Sequence, residues 1–410
     1  MRDAPADRVD TDVLVIGAGP AGSAAALRLA RQGLGVVLAD RARFPRDKAC
    51  GDALIPDALT ALATLGLDQA VLQRAKRLAG LVITAPGGRR VRVQGQCATV
   101  PRRVLDDVLR QAAVRAGARW MAPARAFGPL LDGGGRLRGA VLQTGADQAP
   151  VRVSANWTIL ATGGASTHLL EAFGVLERQA PSAIAARLYV QVPAAMAGSF
   201  NELHISFERD LSPGYGWVFP GPDDTFNIGV GVFGDERHPT GRMNLRVLLD
   251  RFCAAFAPAR ALLAASTSVT PLLGAPLRTG LSGTRLGRPG LLVAGEAAGT
   301  TYSLTGEGIG KALATGMAAA DAIGEAAARG DLHAPCHDAY RRRVTSDFAG
   351  RFRAYSLAQH YVAYPAVADY LAWRARKEGF VRQKLEALFN EATDARALFS
   401  PAGLVRALLG

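Results

Sequence analysis

Two glycine-rich stretches are where this sequence could do chemistry: Gly17-Ala18-Gly19-Pro20-Ala21-Gly22 near the start, and Gly295-Glu296-Ala297-Ala298-Gly299 with Gly306-Glu307-Gly308-Ile309 far downstream. In the first, the spacing G-x-G-x-x-G gives each glycine its own role. The first allows a tight turn, the second a close backbone approach to a pyrophosphate, and the third close packing of helix on strand. The N–H groups exposed at such a helix start, together with its dipole, suit an anion. Asp40 closes the next apolar run about 20 residues on, where a carboxylate accepts hydrogen bonds from adenosine ribose hydroxyls. In the second stretch, Glu296 ends an apolar run and can bind a polyol, such as the ribityl chain of a flavin. The helix start near Gly308 can stabilise negative charge on a reduced flavin ring. Paired in one chain, the two stretches are what a single FAD lying across the protein needs. No His or Cys is placed for covalent attachment, so non-covalent FAD is expected.

These motifs require particular elements around them. Residues 11–16 read as a buried parallel strand, 21–32 as a helix stopped by Gly33, and 35–40 as a second strand, which together make a βαβ unit. Helical patterns at 56–65 and 102–117 then alternate with strand-like pieces at 80–84, 89–94, 138–143 and 156–161. From about residue 183 to 234, strands separated by Pro, Gly and Asp turns indicate an antiparallel sheet. A buried strand returns at 290–294, an Ala-rich helix runs to about 328, and the rest is helical. Val344, Phe348, Phe352 and Tyr355 share one face of that tail, with arginines opposite.

At 410 residues the chain can form one large domain or two interleaved ones. The net charge of +13 is scattered, densest at Arg341, Arg342 and Arg343 and at Arg351 and Arg353, and no nucleic-acid motif accompanies it. It suits an acidic substrate, a carrier protein or an anionic lipid surface, with at most peripheral membrane contact. Cys50, Cys97, Cys253 and Cys336 lie far apart, the histidines are dispersed without metal-ligand spacing, and the polar start MRDAPADRVD resembles neither leader nor anchor. The expectation is a soluble, reduced, cytoplasmic protein without a metal. Cys97, Cys253, Cys336 and all six histidines are read as structural.

GAGPAG at 17–22, FPRDKACGDAL at 44–54, VPRRVLDDVL at 100–109, PGYGWVFP at 213–220 and SLTGEGI at 303–309 together resemble the geranylgeranyl reductase family, within the para-hydroxybenzoate hydroxylase-like superfamily. The resemblance runs nearly end to end. It implies an α/β fold: a Rossmann-like FAD-binding domain of the para-hydroxybenzoate hydroxylase/glutathione reductase type, an inserted, mostly antiparallel substrate sheet, and a helical C-terminus. The corresponding boundaries are 1–180 with 275–330, then 181–274, then 331–410. Ala21, Asp40, Gly51, Arg102, Glu296, Gly308 and Ile309 match the family's FAD contacts, with Arg41 and Gly306 beside them. Arg102 suits the pyrophosphate or the flavin edge. Tyr215, Trp217 and Phe219 match the aromatic motif of the family's apolar substrate pocket, although alternation also allows them to be core. Cys50 matches the cysteine beside the flavin, and is otherwise a buried structural thiol.

Glu296 stands where the family carries Asp, and Ser303 where proline is usual. Ala161-Thr162-Gly163-Gly164 replaces an Asp-Gly linked to pyridine nucleotide, so electrons come either from NAD(P)H bound transiently or from a separate reductase or ferredoxin. The leading expectation is reduction of C=C bonds in an apolar substrate, isoprenoid or specialised metabolite, lipid-like or carrier-bound. The alternatives are a monooxygenase (hydroxylase), a halogenase, and a flavin-fold protein that only binds or cyclises its substrate. A halogenase calls for W-x-W-x-I-P and a cleft lysine. Here the strand reads Tyr215-Gly216-Trp217-Val218-Phe219-Pro220, no lysine is placed in the cleft, and Lys76 is read onto a solvated helix.

Overall fold

The computed structural model describes residues 7–409 except 146–148, 179–181, 235–239, 241–242, 333, 377–378 and 394. His238 and His333 therefore lie outside the described residues.

The N-terminal βαβ unit forms as its residue pattern requires. Strand Asp7–Ile16 ends in four fully buried aliphatic residues, Val13 to Ile16. It pairs in parallel with Val36–Ala39 on one side and Ala149–Leu160 on the other. Arg119–Met121 and Leu291–Val293 extend this parallel sheet at its two ends. A parallel sheet is covered on both faces, so its strands carry continuous apolar runs rather than alternation. Pro20–Arg31 packs against Ile309–Ala328 and Arg102–Arg115. Its first helical residue is Pro20, whose missing N–H costs nothing there.

The second sheet runs in the order 268–269, 183–191, 225–233, 214–220, 203–206, 76–84, 90–99, 53–54, with 273–277 also on 183–191. Its pairings are antiparallel except Leu203–Ser206 beside Lys76–Thr84. The expected division at residue 181 therefore needs correcting, because 53–99 contributes three strands to this second sheet. The alternating burial of Lys76–Thr84 is the mark of a half-buried strand rather than of a parallel core strand. The expected start of the returning segment at 275 likewise falls inside strand Leu273–Leu277. Lys76 opens a strand and is not on a helix.

Helices Cys336–Val362, Pro365–Ala375, Phe380–Phe389, Arg396–Phe399 and Pro401–Leu409 form the tail. They do not fold apart. Phe352, Tyr355, Leu371, Val381 and Leu398 share one apolar cluster with Val91 and Val93 of the second sheet. Val344, Phe352 and Tyr355 are buried on one face, while Arg341, Arg342 and Arg343 are exposed.

Candidate functional site

A cavity of about 650 Å³ lies between the two sheets and reaches under the helical tail. Its first end is made of backbone. Gly17 sits at φ +105°, and a Cβ there would come 2.3 Å from the carbonyl oxygen of Ala161. A Cβ on Gly22 would lie 1.8 Å from the Gly17 oxygen, so Gly22 serves packing and does not line the cavity. Gly19 is different: its missing Cβ faces one nitrogen each of Arg46 and Arg102, both at 3.8 Å. Gly17, Gly19, Pro20, Ala21, Asp40 and Arg41 all line this end.

Side chains lock the turn. Asp40 accepts from the Ala18 N–H at 2.8 Å and from the Ala42 N–H at 2.9 Å. Arg102 is buried with its fork closed on Asp106 at 2.7 and 2.8 Å, and Arg46 meets the same carboxylate at 2.9 Å. Five donors on a guanidinium leave Arg102 further N–H groups after that pairing. Glu296 is held by Lys48 at 2.7 Å and by the Gly164 N–H at 3.2 Å. Its Oε1 is buried with no hydrogen-bond partner. Gly306, Gly308 and Ile309 line the cavity beside it, with Gly308 at the N-cap of helix Ile309–Ala328.

At the middle stands Cys50, in a turn that threads under the aromatic strand. Gly51 leaves room for that strand, since a Cβ there would touch Phe219 at 3.0 Å and Trp217 at 3.6 Å. Tyr215, Trp217 and Phe219 are all buried and all line the cavity. Tyr215 donates its hydroxyl to the Thr305 carbonyl, which ties the strand to the second glycine turn. Trp217 donates to Asn227 at 2.8 Å, and Asn227 in turn donates to the Cys50 carbonyl at 2.7 Å and to Asp52 at 2.8 Å. Asp52 also accepts the Tyr189 hydroxyl at 2.6 Å. Burial pushes the Cys50 thiol up from its ordinary value and the Asp52 carboxyl up to about 6.

The far end is apolar. Ile83, Val91, Val93, Leu371, Leu388 and Phe399 face one another there, from two strands of the second sheet and from the tail. A polar knot closes it off: buried Lys311 meets Glu391 at 3.1 Å and Glu307 at 3.3 Å, and also pairs with Asp57. These three carboxylates form a compact acidic group around one lysine ammonium, with Arg351 also on Glu391 and burial pushing the Glu307 carboxyl up to about 8.

Sequence reasoning overlooked Arg46, Lys48, Asp52, Asn227 and Lys311. Arg46, Lys48 and Asp52 lie inside the stretch FPRDKACGDAL, which was the available signal. Asn227 and Lys311 carry no local signal. The expectation of no lysine in the cleft is corrected by Lys48, which lines the cavity, paired with Glu296. Cys97, Cys253 and Cys336 are buried free thiols. His168 is exposed at the cavity rim.

The strand–glycine turn–helix, the second turn around Glu296 and the orphaned Glu296 oxygen fit one FAD. These features define an FAD-dependent oxidoreductase, and residues 10–202 match the family described as FAD binding domain. The chain belongs to the geranylgeranyl reductase family. It is 35% identical to a menaquinone reductase of Mycolicibacterium smegmatis over 76% of this chain and 75% of that one. It is 28% identical to a digeranylgeranylglycerophospholipid reductase of Methanopyrus kandleri over 84% and 85% of the two chains. A geranylgeranyl bacteriochlorophyll reductase-like protein of Thermoplasma acidophilum superposes with TM-score 0.78 at 22% identity, covering 98% and 96%. A flavin-dependent brominase shares the fold with TM-score 0.73 at 19% identity, covering 98% and 100%. Among the described residues no helix is long and apolar enough to cross a membrane.

Proposed function

We propose that this enzyme reduces C=C bonds of an apolar, isoprenoid-bearing lipid or metabolite. The observation that carries the reading is continuity: one cavity joins both glycine turns to Cys50, the aromatic strand and an apolar arm under the tail. Burial of a hydrocarbon chain in that arm contributes about 25 cal/mol per Å². Relatives whose names specify menaquinone or digeranylgeranylglycerophospholipid support a substrate with such a chain.

In this reading Gly17, Gly19, Pro20, Ala21, Asp40, Arg41, Arg46 and Arg102 hold the adenosine and pyrophosphate, while Gly22 supports the turn from behind. Glu296, Gly51, Gly306, Gly308 and Ile309 hold the ribityl and ring end. When bound and reduced, FAD would supply the hydride. Tyr215, Trp217 and Phe219 orient the alkene and exclude water, and the Cys50 thiol holds the proton that completes addition across the double bond. Electrons reach the cofactor from NAD(P)H or a reductase partner.

Anaerobic mixing of the reduced enzyme with a polyprenyl substrate, followed by mass spectrometry, tests this. A product gaining two hydrogens is expected. No reaction without oxygen, and insertion of oxygen or halogen with it, would establish the monooxygenase or halogenase alternative instead.

A further inference from the structure

Asp52 sits directly beneath the Cys50 turn, yet the chemistry outlined above makes no use of it. It is 2% exposed and lines the cavity. Its backbone is left-handed, at φ 66°, a conformation that a non-glycine residue adopts only when its surroundings fix it. Its own N–H points at the Cys50 sulfur, 3.4 Å away. Its carboxylate accepts from Tyr189 at 2.6 Å, Asn227 at 2.8 Å and the Arg102 N–H at 3.2 Å. All three are neutral donors, the Arg102 one being its backbone amide, while the guanidinium groups of Arg187 and Arg102 favour the Asp52 charge through space.

The charges around Cys50 fall into two groups. Arg102 and Lys48 both favour the thiolate, Arg102 most and also through its side-chain hydrogen bond to Cys50, although its fork is closed on Asp106 and Lys48 is paired with Glu296. Asp52 opposes the thiolate, and Tyr215 packs beside it as a neutral phenol. Around Asp52 itself stand Tyr189, with Arg187 over its ring at 4.1 Å and Asp47 paired to that arginine at 2.5 Å. A cysteine in an electropositive pocket ordinarily becomes a nucleophilic thiolate. Here burial and, after it, the Asp52 carboxylate two residues further along the same turn both oppose the thiolate.

We propose that Asp52 is a positioning residue that reinforces burial in keeping Cys50 a protonated thiol, a proton donor rather than a nucleophile, and that holds its turn to Trp217 through Asn227. The role assigned to Cys50 rests on the reductase reading; the electrostatic effect of Asp52 on the thiol does not. Asp52 is ionised well before a raised thiol titrates, so its charge acts throughout the relevant range.

The deciding experiment is alkylation of the FAD-loaded enzyme by iodoacetamide between about pH 7 and pH 10, with Cys50 modification read by peptide mass spectrometry. Cys50→Ser identifies the signal. Asp52→Asn should move the Cys50 profile to lower pH, with labelling near neutrality roughly tenfold faster for each pH unit the profile moves. Tyr189→Phe removes a hydrogen bond that favours the Asp52 charge and lets that carboxyl rise further, but Asp52 stays ionised at the alkaline pH where Cys50 titrates, so the profile there should stay in place. Should Asp52→Asn fail to fold, Asp52→Gly removes the same charge and suits the left-handed backbone, and the same movement is expected. An unchanged or upward-moved profile without the carboxylate, or an equal movement in Tyr189→Phe, overturns the proposal. A moved profile together with failure to reduce any alkene would leave this inference standing and remove the reductase reading.

Discussion

The two ends of the cavity are built by opposite means. The nucleotide end is backbone: glycines, a helix start and a carboxylate, drawn mostly from one short stretch and enclosed by the parallel sheet. The apolar arm is made of side chains, and its walls come from residues 81–93, 203–219 and 362–399. A site made of backbone tolerates few substitutions because a Cβ has nowhere to go. A site made of aliphatic side chains tolerates many, because its shape is distributed over several elements. Chemistry common to the family is expected at the first end and substrate choice at the second.

The largest expected effect breaks the first end. Gly22→Ala would place a methyl 1.8 Å from the Gly17 oxygen, a backbone atom that cannot swing away. At least about 3 kcal/mol of stability and all bound FAD should be lost, as seen in urea unfolding and in colourless protein. Gly19→Ala should instead retain the apo-protein's stability and lose FAD affinity, since its methyl meets only arginine tips at 3.8 Å. Equal behaviour of the two variants would refute the division between packing and ligand-facing glycines.

Next comes the knot that fastens the tail over the arm. Lys311→Met leaves Asp57, Glu307 and Glu391 without their shared cation, with only Arg351 still on Glu391. Breaking a buried pair from one side costs about 3–5 kcal/mol. Loss of that size in denaturant unfolding is expected, and a change under about 1 kcal/mol, the value of an exposed pair, would show the knot to be inert.

Where the two ends meet, Asp52 should make stability depend on pH. Its carboxyl rises from 3.8 to about 6 because burial disfavours the charge. Between those values the folded state keeps a proton that the unfolded chain has released, so stability falls as pH rises through this window and is level above it. The difference corresponds to about 3 kcal/mol at most. Asp52→Asn should therefore gain on the wild type between about pH 4 and pH 6 in urea midpoints; a constant difference across that range would count against the buried charge. Glu296→Ala should weaken FAD by about 1.5–3 kcal/mol in titrations of apo-protein, and Glu296→Asp much less.

The same contrast explains what the sequence discloses. The strand Asp7–Ile16, its glycine turn and Asp40 are legible because their spacing is local and their physical demands are narrow. Strand Lys76–Thr84 alternates visibly, but nothing in its residues says which sheet it joins; that is decided by a parallel pairing with Leu203–Ser206, far along the chain. Lys311 reads as one polar residue in an Ala-rich helix, and only folding brings Glu391 to it. Asn227 is likewise ordinary within its strand until Trp217, Cys50 and Asp52 converge on it.

The smallest effect addresses the arm alone. Ala372 lines the far end, 6% exposed, on the tail helix Pro365–Ala375. Ala372→Trp would fill part of the space that a long hydrocarbon chain occupies without touching either glycine turn. For long-chain substrates KM should rise about tenfold, which corresponds to about 1.4 kcal/mol of lost binding. Short-chain analogues should turn over as before, and FAD affinity should not change. Gly19→Ala should give the reverse pattern, weakening FAD with no dependence on chain length. A uniform KM increase for short and long substrates in Ala372→Trp would mean that the chain does not enter this arm, and the substrate class proposed here would fall with it.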